Sequence, residues 1–159
     1  MSEATGRHVS KGLIAGVTAT VVMSAMMLMK QSMGFMPQLN PIAMLTEMVG
    51  ASTPVVGWAL HFMIGTVMWG VLFALLAPRL PGAMWLRGVL FGIGAWLLMM
   101  VMVMPMAGAG FFGLGMGIAA PILTLVMHLV FGAVLGGVYG VLTDGIDPKL
   151  AHVTTHTWM

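Results

Sequence analysis

Residues 54–70 read PVVGWALHFMIGTVMWG, and residues 121–137 read PILTLVMHLVFGAVLGG. Both follow the pattern P-x6-H-x3-G-x4-G, so each sets one histidine, His61 or His128, two helical turns inside a long apolar segment. An ionisable side chain placed there is costly and is a functional-site hypothesis by default. The stretch decides the fold as apolar helices and centres the chemistry on a repeated histidine.

The rest of the chain agrees with that environment. Of 159 residues, 60% are hydrophobic and 6% are charged, against roughly 25% charged in soluble domains. The composition is that of an integral membrane protein, whose first partner is the lipid bilayer. Six basic residues against four acidic ones bear on orientation rather than on nucleic acid, which is not an expected partner. Cysteine is absent, which excludes disulfides, thiolate metal sites, iron–sulfur clusters and covalently attached c-type haem.

Four apolar segments, 12–33, 55–77, 84–106 and 118–142, reach the roughly 20 residues that cross a ~30 Å hydrocarbon core. Helices are expected because the runs are continuous and a spanning segment must satisfy its own backbone. Residues 1–142 then form one four-helix transmembrane domain and residues 143–159 a polar tail. The first apolar run is longer than a signal-peptide core and no A-x-A site follows it, so it is expected to be retained as a span. Arg7, Lys11, Arg79, Arg87 and Lys149 fall on one side and Lys30 near the other. By the positive-inside rule both termini are cytoplasmic.

The connections differ in kind. Pro78 to Gly82 reads as a tight turn. Between the first two spans, Asn40, Pro41 and Gly50 frame a short helix whose Ile42, Leu45, Met48 and Val49 make an apolar face, placing it on the outer surface. Residues 107–117, AGAGFFGLGMG, read as a compact turn against the helix ends.

The repeat extends past the histidines. Lys11-Gly-Leu-Ile-Ala-Gly-Val pairs with Arg87-Gly-Val-Leu-Phe-Gly-Ile, and Met23 and Met26 pair with Met99 and Met102. The pattern is a duplicated two-helix hairpin in parallel topology, with a pseudo-twofold axis along the membrane normal. At ~1.5 Å per residue, His61 and His128 each lie ~10 Å below their helix starts. In an up-down-up-down bundle the two helices are diagonal partners about 13 Å apart, from adjacent spacings of about 8–10 Å. That separation suits a b-type haem between two imidazoles, with Gly65 and Gly132 leaving room beside it. If the helices are neighbours, those glycines serve close packing instead.

Methionine offers a second chemistry. Among 20 methionines, Met23, Met26, Met99 and Met102 recur in both halves, and thioethers select Cu(I). The competing structural explanation is that methionine fills irregular cores. Likewise a membrane histidine can simply bond a neighbouring helix, contributing about 0.6–2 kcal/mol to association. No Asp or Glu lies inside a span, and no nucleophile has a base beside it, so an enzyme is not expected. In the tail, His152 and His156 supply two ligands, too few for a zinc site.

Three segments, MGFMPQLNPIAMLTEMVG, PMAGAGFFG and HLVFGAVLGGVYG, resemble a family of small four-span prokaryotic membrane proteins known only as a domain of unknown function. The resemblance runs from about Lys11 to Leu142 and implies the fold and topology without an activity. Three functions are therefore expected to compete: haem b binding by the histidine pair, Cu(I) binding by Met and His, and a structural or assembly subunit that meets a membrane-protein partner or a second copy.

Overall fold

The computed structural model describes residues 3–144, so the histidine pair of the tail and Lys149 lie outside the described residues. Within this span the chain forms α1 (Glu3–Ser32), α2 (Pro41–Met48), α3 (Pro54–Arg79), α4 (Met84–Met106) and α5 (Ala119–Asp144). Strands are absent among the described residues. All but α2 contain a stretch long and apolar enough to cross a membrane, as the four sequence segments require.

Local chemistry sets the helix starts. Asn40 Oδ1 accepts from the backbone N–H groups of Ile42 and Ala43, and Pro41 occupies the first turn where no intrahelical donor is needed. Thr53 and Pro54 repeat that arrangement at α3. The turn into α4 is held by cations: Arg87 donates from Nε to the Gly82 carbonyl at 2.7 Å and from Nη1 to the Ala77 carbonyl at 3.0 Å.

Packing is dictated by glycine seams. Between α1 and α3, Gly12 faces Gly70 and Gly16 faces Gly65 and Thr66, so a methyl group on either would meet backbone. Between α4 and α5, Gly88 faces Gly132 and Gly136, and Gly92 faces the His128 carbonyl. In lipid, such close backbone approach takes the place of the hydrophobic effect as the source of helix association. α1 also lies along α5, where Tyr139 hydroxyl and His8 Nδ1 are 3.0 Å apart. Neighbouring helices run antiparallel in a ring ordered α3, α1, α5, α4, which puts the two histidine helices on a diagonal.

The two glycine seams are not copies. The sequence repeat equates Gly12 with Gly88 and Gly65 with Gly132, yet Gly12 lies opposite Gly70 whereas Gly88 lies opposite Gly132. The partner is displaced by five residues, or roughly 7 Å at ~1.5 Å rise. α3 also carries a π turn over Met63–Met68, with the Trp69 N–H reaching back to the Ile64 carbonyl. α5 is described as an uninterrupted helix over Ala119–Asp144.

The ring closes unevenly. α3 and α4 meet at their shared turn and through edge-on aromatics, Trp69 against Phe91 at 5.6 Å and Phe73 against Phe91 at 5.4 Å. Phe73 also meets Tyr139 edge-on, so this end is a solid aromatic plug. Above Trp69 the two helices diverge, and α4 has its own π turn at Met99–Val103. A matched pair of substitutions tests the seam. Gly88→Ala is expected to lower the thermal unfolding midpoint in detergent, by overpacking worth about 1–3 kcal/mol. Gly94→Ala, where added bulk meets open space, is expected to be neutral or slightly stabilising.

Candidate functional site

Divergence of α3 and α4 leaves a cavity of about 220 Å³. Its floor is Trp69 and Phe131, its walls come from α1, α3, α4 and α5, and its roof is Leu39 with Pro41, Met44, Leu45 and Met48 of α2. His61 and His128 both line it, together with eight methionines: Met23, Met27, Met44, Met48, Met68, Met99, Met104 and Met127. Two threonines reach the wall, but their hydroxyls are already used. Thr20 Oγ1 donates to the Gly16 carbonyl at 2.7 Å, and Thr124 Oγ1 donates to the Ala120 carbonyl at 2.8 Å while accepting from Trp96 Nε1 at 3.1 Å. The polar atoms left for a ligand are imidazole nitrogens.

Each ring is fixed by one hydrogen bond. His128 Nδ1 lies 2.8 Å from the Thr124 carbonyl. A carbonyl only accepts, so Nδ1 carries the proton and Nε2 keeps its lone pair. His61 Nε2 lies 3.1 Å from Ser24 Oγ, and Ser24 Oγ lies 2.8 Å from the Thr20 carbonyl. Ser24 gives its single proton to that carbonyl, so His61 Nε2 donates to Ser24 and Nδ1 holds the lone pair. Trp58 and Phe62 pack edge-on against the same ring at 5.9 and 5.8 Å. The two rings come from diagonal helices and offer unlike atoms, Nδ1 from His61 and Nε2 from His128.

The roof is pinned by the cation that the sequence places alone at this end. Lys30 is buried and donates from Nζ to the carbonyls of Met36 at 2.9 Å and Leu39 at 2.6 Å. Met36 sits in the left-handed region at φ 47°, a conformation that costs a non-glycine residue roughly 1–2 kcal/mol. The Lys30 bond to its carbonyl holds that turn. Thr46 and Ile42 of α2 press onto Gly57 of α3, where no side chain fits. Beside the roof, residues 108–117 form the compact turn expected from their glycines. Ala109 is buried there with Met104 and Ala120, and Phe112 meets Trp96 edge-on at 5.8 Å.

The sequence-predicted residues are distributed unequally. His61, His128, Gly65, Met23 and Met99 line the cavity. Gly132 is spent on contact with Gly88. Met26 packs against the core cluster beneath, and Met102 is 55% exposed on the outside of α4. The positions that the sequence pattern does not single out are Ser24, the Thr124 carbonyl, and the methionines Met27, Met104 and Met127. Thr124 precedes His128 by one helical turn, a spacing visible in the chain, but the partner atom is backbone and carries no residue-type signal. Among the described residues no group of three or more His, Cys, Asp or Glu side chains is placed to hold a metal ion. Any metal here depends on thioethers.

Residues 6–149 match the model of a family of unknown function (DUF6789), and the chain belongs to that family. No curated protein and no solved structure matches it.

Two measurements check the site. Nitrogen-15 NMR of labelled histidine in lipid nanodiscs is expected to report a neutral Nδ1–H ring at His128 and a neutral Nε2–H ring at His61; the reverse assignment at His128 would contradict the geometry. Lys30→Met removes two charge-assisted bonds of about 1.5–3 kcal/mol each. Amide exchange of residues 36–48 is expected to accelerate at least about tenfold, with the exchange of α5 unchanged.

Proposed function

We propose that this DUF6789 member is an integral protein of the prokaryotic inner membrane that binds Cu(I) in the cavity between α3 and α4. His128 Nε2 or His61 Nδ1 supplies the nitrogen donor, and thioethers of the methionine wall supply the rest. One observation carries the reading: two imidazoles, each held by the protein through one nitrogen, line a cavity whose other hetero atoms are mostly methionine sulfur. Soft thioethers favour Cu(I), and imidazole is a common companion ligand. The bonds from His128 to the Thr124 carbonyl and from His61 to Ser24 are of the kind that orient metal-bound imidazoles.

Haem b is a poorer fit. A cavity of about 220 Å³ falls below the roughly 300–1,000 Å³ of pockets for drug-sized ligands, and a haem is larger than most of those. Lys30, the cation nearest this end, is committed to two backbone carbonyls and is not offered to propionates. A purely structural role would account for one nitrogen of each ring. It gives no reason for both rings to line one cavity together with eight methionines. The charge distribution supports a cytoplasmic location for the Lys11, Arg79 and Arg87 end, which places the roof and cavity on the outer side. The sequence repeat supports an origin by duplication, after which the two halves came to pack one turn out of register.

Equilibrium dialysis against a Cu(I) chelator buffer tests the reading. Wild-type protein is expected to retain Cu(I) at one ion per chain, and a His61→Ala, His128→Ala double variant to bind at least about tenfold more weakly. Retention of no Cu(I) by folded wild-type protein would sink the proposal.

A further inference from the structure

The cavity has a side as well as a roof. Between Trp69 and the roof, α3 and α4 make few contacts, which leaves a gap between them, and Met68 and Leu98, one from each helix, both line the cavity and are each 45% exposed. The gap lies in the middle of two helices long and apolar enough to cross a membrane, so it faces hydrocarbon rather than water. The roof end is closed by α2 and the Lys30 clasp, and the other end by the aromatic plug of Trp69, Phe73, Phe91 and Tyr139. A molecule dissolved in the bilayer therefore has a direct sideways route in.

What such a molecule meets inside is specified by the rings. His128 presents Nε2 as an acceptor because its Nδ1 proton is held by the Thr124 carbonyl, and the Thr20 and Thr124 hydroxyls give their protons to backbone carbonyls. A ligand bearing only carbonyl or ether oxygen finds no donor among these groups, and one bearing O–H finds an acceptor. The rest of the wall is hydrocarbon, thioether and aromatic ring, which favours a flat, uncharged body. A cavity of about 150 Å³ holds benzene, so about 220 Å³ accepts one aromatic ring with substituents or two fused rings.

We propose that the cavity is a site for an uncharged, membrane-dissolved aromatic alcohol of one or two rings, which enters sideways between α3 and α4 and donates its hydroxyl proton in a hydrogen bond to His128 Nε2. The site uses the cavity and the tautomer of His128, and it stands whether or not Cu(I) binds there. No covalent step is involved.

The probes are 2-naphthol and its methyl ether, 2-methoxynaphthalene, which match in shape and differ in the donor. Binding is measured by equilibrium dialysis of the full-length protein in nanodiscs, with empty nanodiscs subtracting partition into lipid, and is followed in time by quenching of tryptophan fluorescence. Saturable binding of 2-naphthol at one per chain is expected, with the ether at least tenfold weaker. His128→Leu is expected to reduce 2-naphthol to the level of the ether. Leu98→Trp, which plugs the side gap from the lipid face, is expected to slow association at least tenfold with an unchanged unfolding midpoint. Equal binding of the two probes to wild-type protein, or retention no greater than in empty nanodiscs, would overturn the proposal. Cu(I) retention measured on the same preparation separates this outcome from failure of the metal reading.

Discussion

Close backbone approach at two glycine seams is the constraint on which the rest of the structure depends. Gly12, Gly16 and Gly70 bring α1 and α3 together, and Gly88, Gly92, Gly132 and Gly136 bring α4 and α5 together. Lipid offers no hydrophobic drive between helices, so contact that excludes side chains is what remains to hold them. Two pairs drawn tight in this way meet along α1 and α5 and through the aromatic plug. Past the plug, nothing comparable ties α3 to α4, and the cavity is the space that this asymmetry leaves.

A second constraint gives that space its chemistry. A polar atom in a hydrocarbon surrounding must find a partner or carry a desolvation penalty. Thr20, Ser24 and Thr124 each solve this with a carbonyl one turn back on their own helix. An imidazole has two nitrogens, and one backbone or hydroxyl partner satisfies only one of them. Fixing Nδ1 of His128 on the Thr124 carbonyl therefore leaves Nε2 as a lone pair in an apolar chamber. Such an atom can bind a metal ion or accept a hydrogen bond from a donor.

Much of the frame is legible in the chain. Asn40-Pro41 and Thr53-Pro54 mark helix starts, the apolar runs mark the spans, and Gly65 with Gly132 mark close packing. Both diagonal and neighbouring placements of the two histidine helices are compatible with the span order, and the helix contacts select the diagonal one. What could not be read is the register. The repeat equates Gly65 with Gly132, while packing sets Gly132 opposite Gly88 and Gly70 opposite Gly12. One helical turn of sliding and the π turn at Met63–Met68 arise from competing contacts that no single segment encodes. The same applies to methionine. Met23 and Met99 line the cavity while Met26 and Met102 do not; three residues along a helix move a side chain about 4.5 Å along the axis and leave it about 60° short of a full turn, enough to leave the cavity wall.

The measurement that bears most directly on this account is the position of a soft ion in the lipid-embedded protein. Crystals grown in lipid and soaked with Ag(I), a thioether-seeking stand-in for Cu(I), place that ion by anomalous scattering. The expected map has a peak in the chamber above Trp69, against His128 Nε2 or His61 Nδ1 and methionine sulfur, with His128 Nδ1 on the Thr124 carbonyl. A chamber filled by protein side chains, or imidazoles facing separate surfaces with silver bound elsewhere, would contradict it.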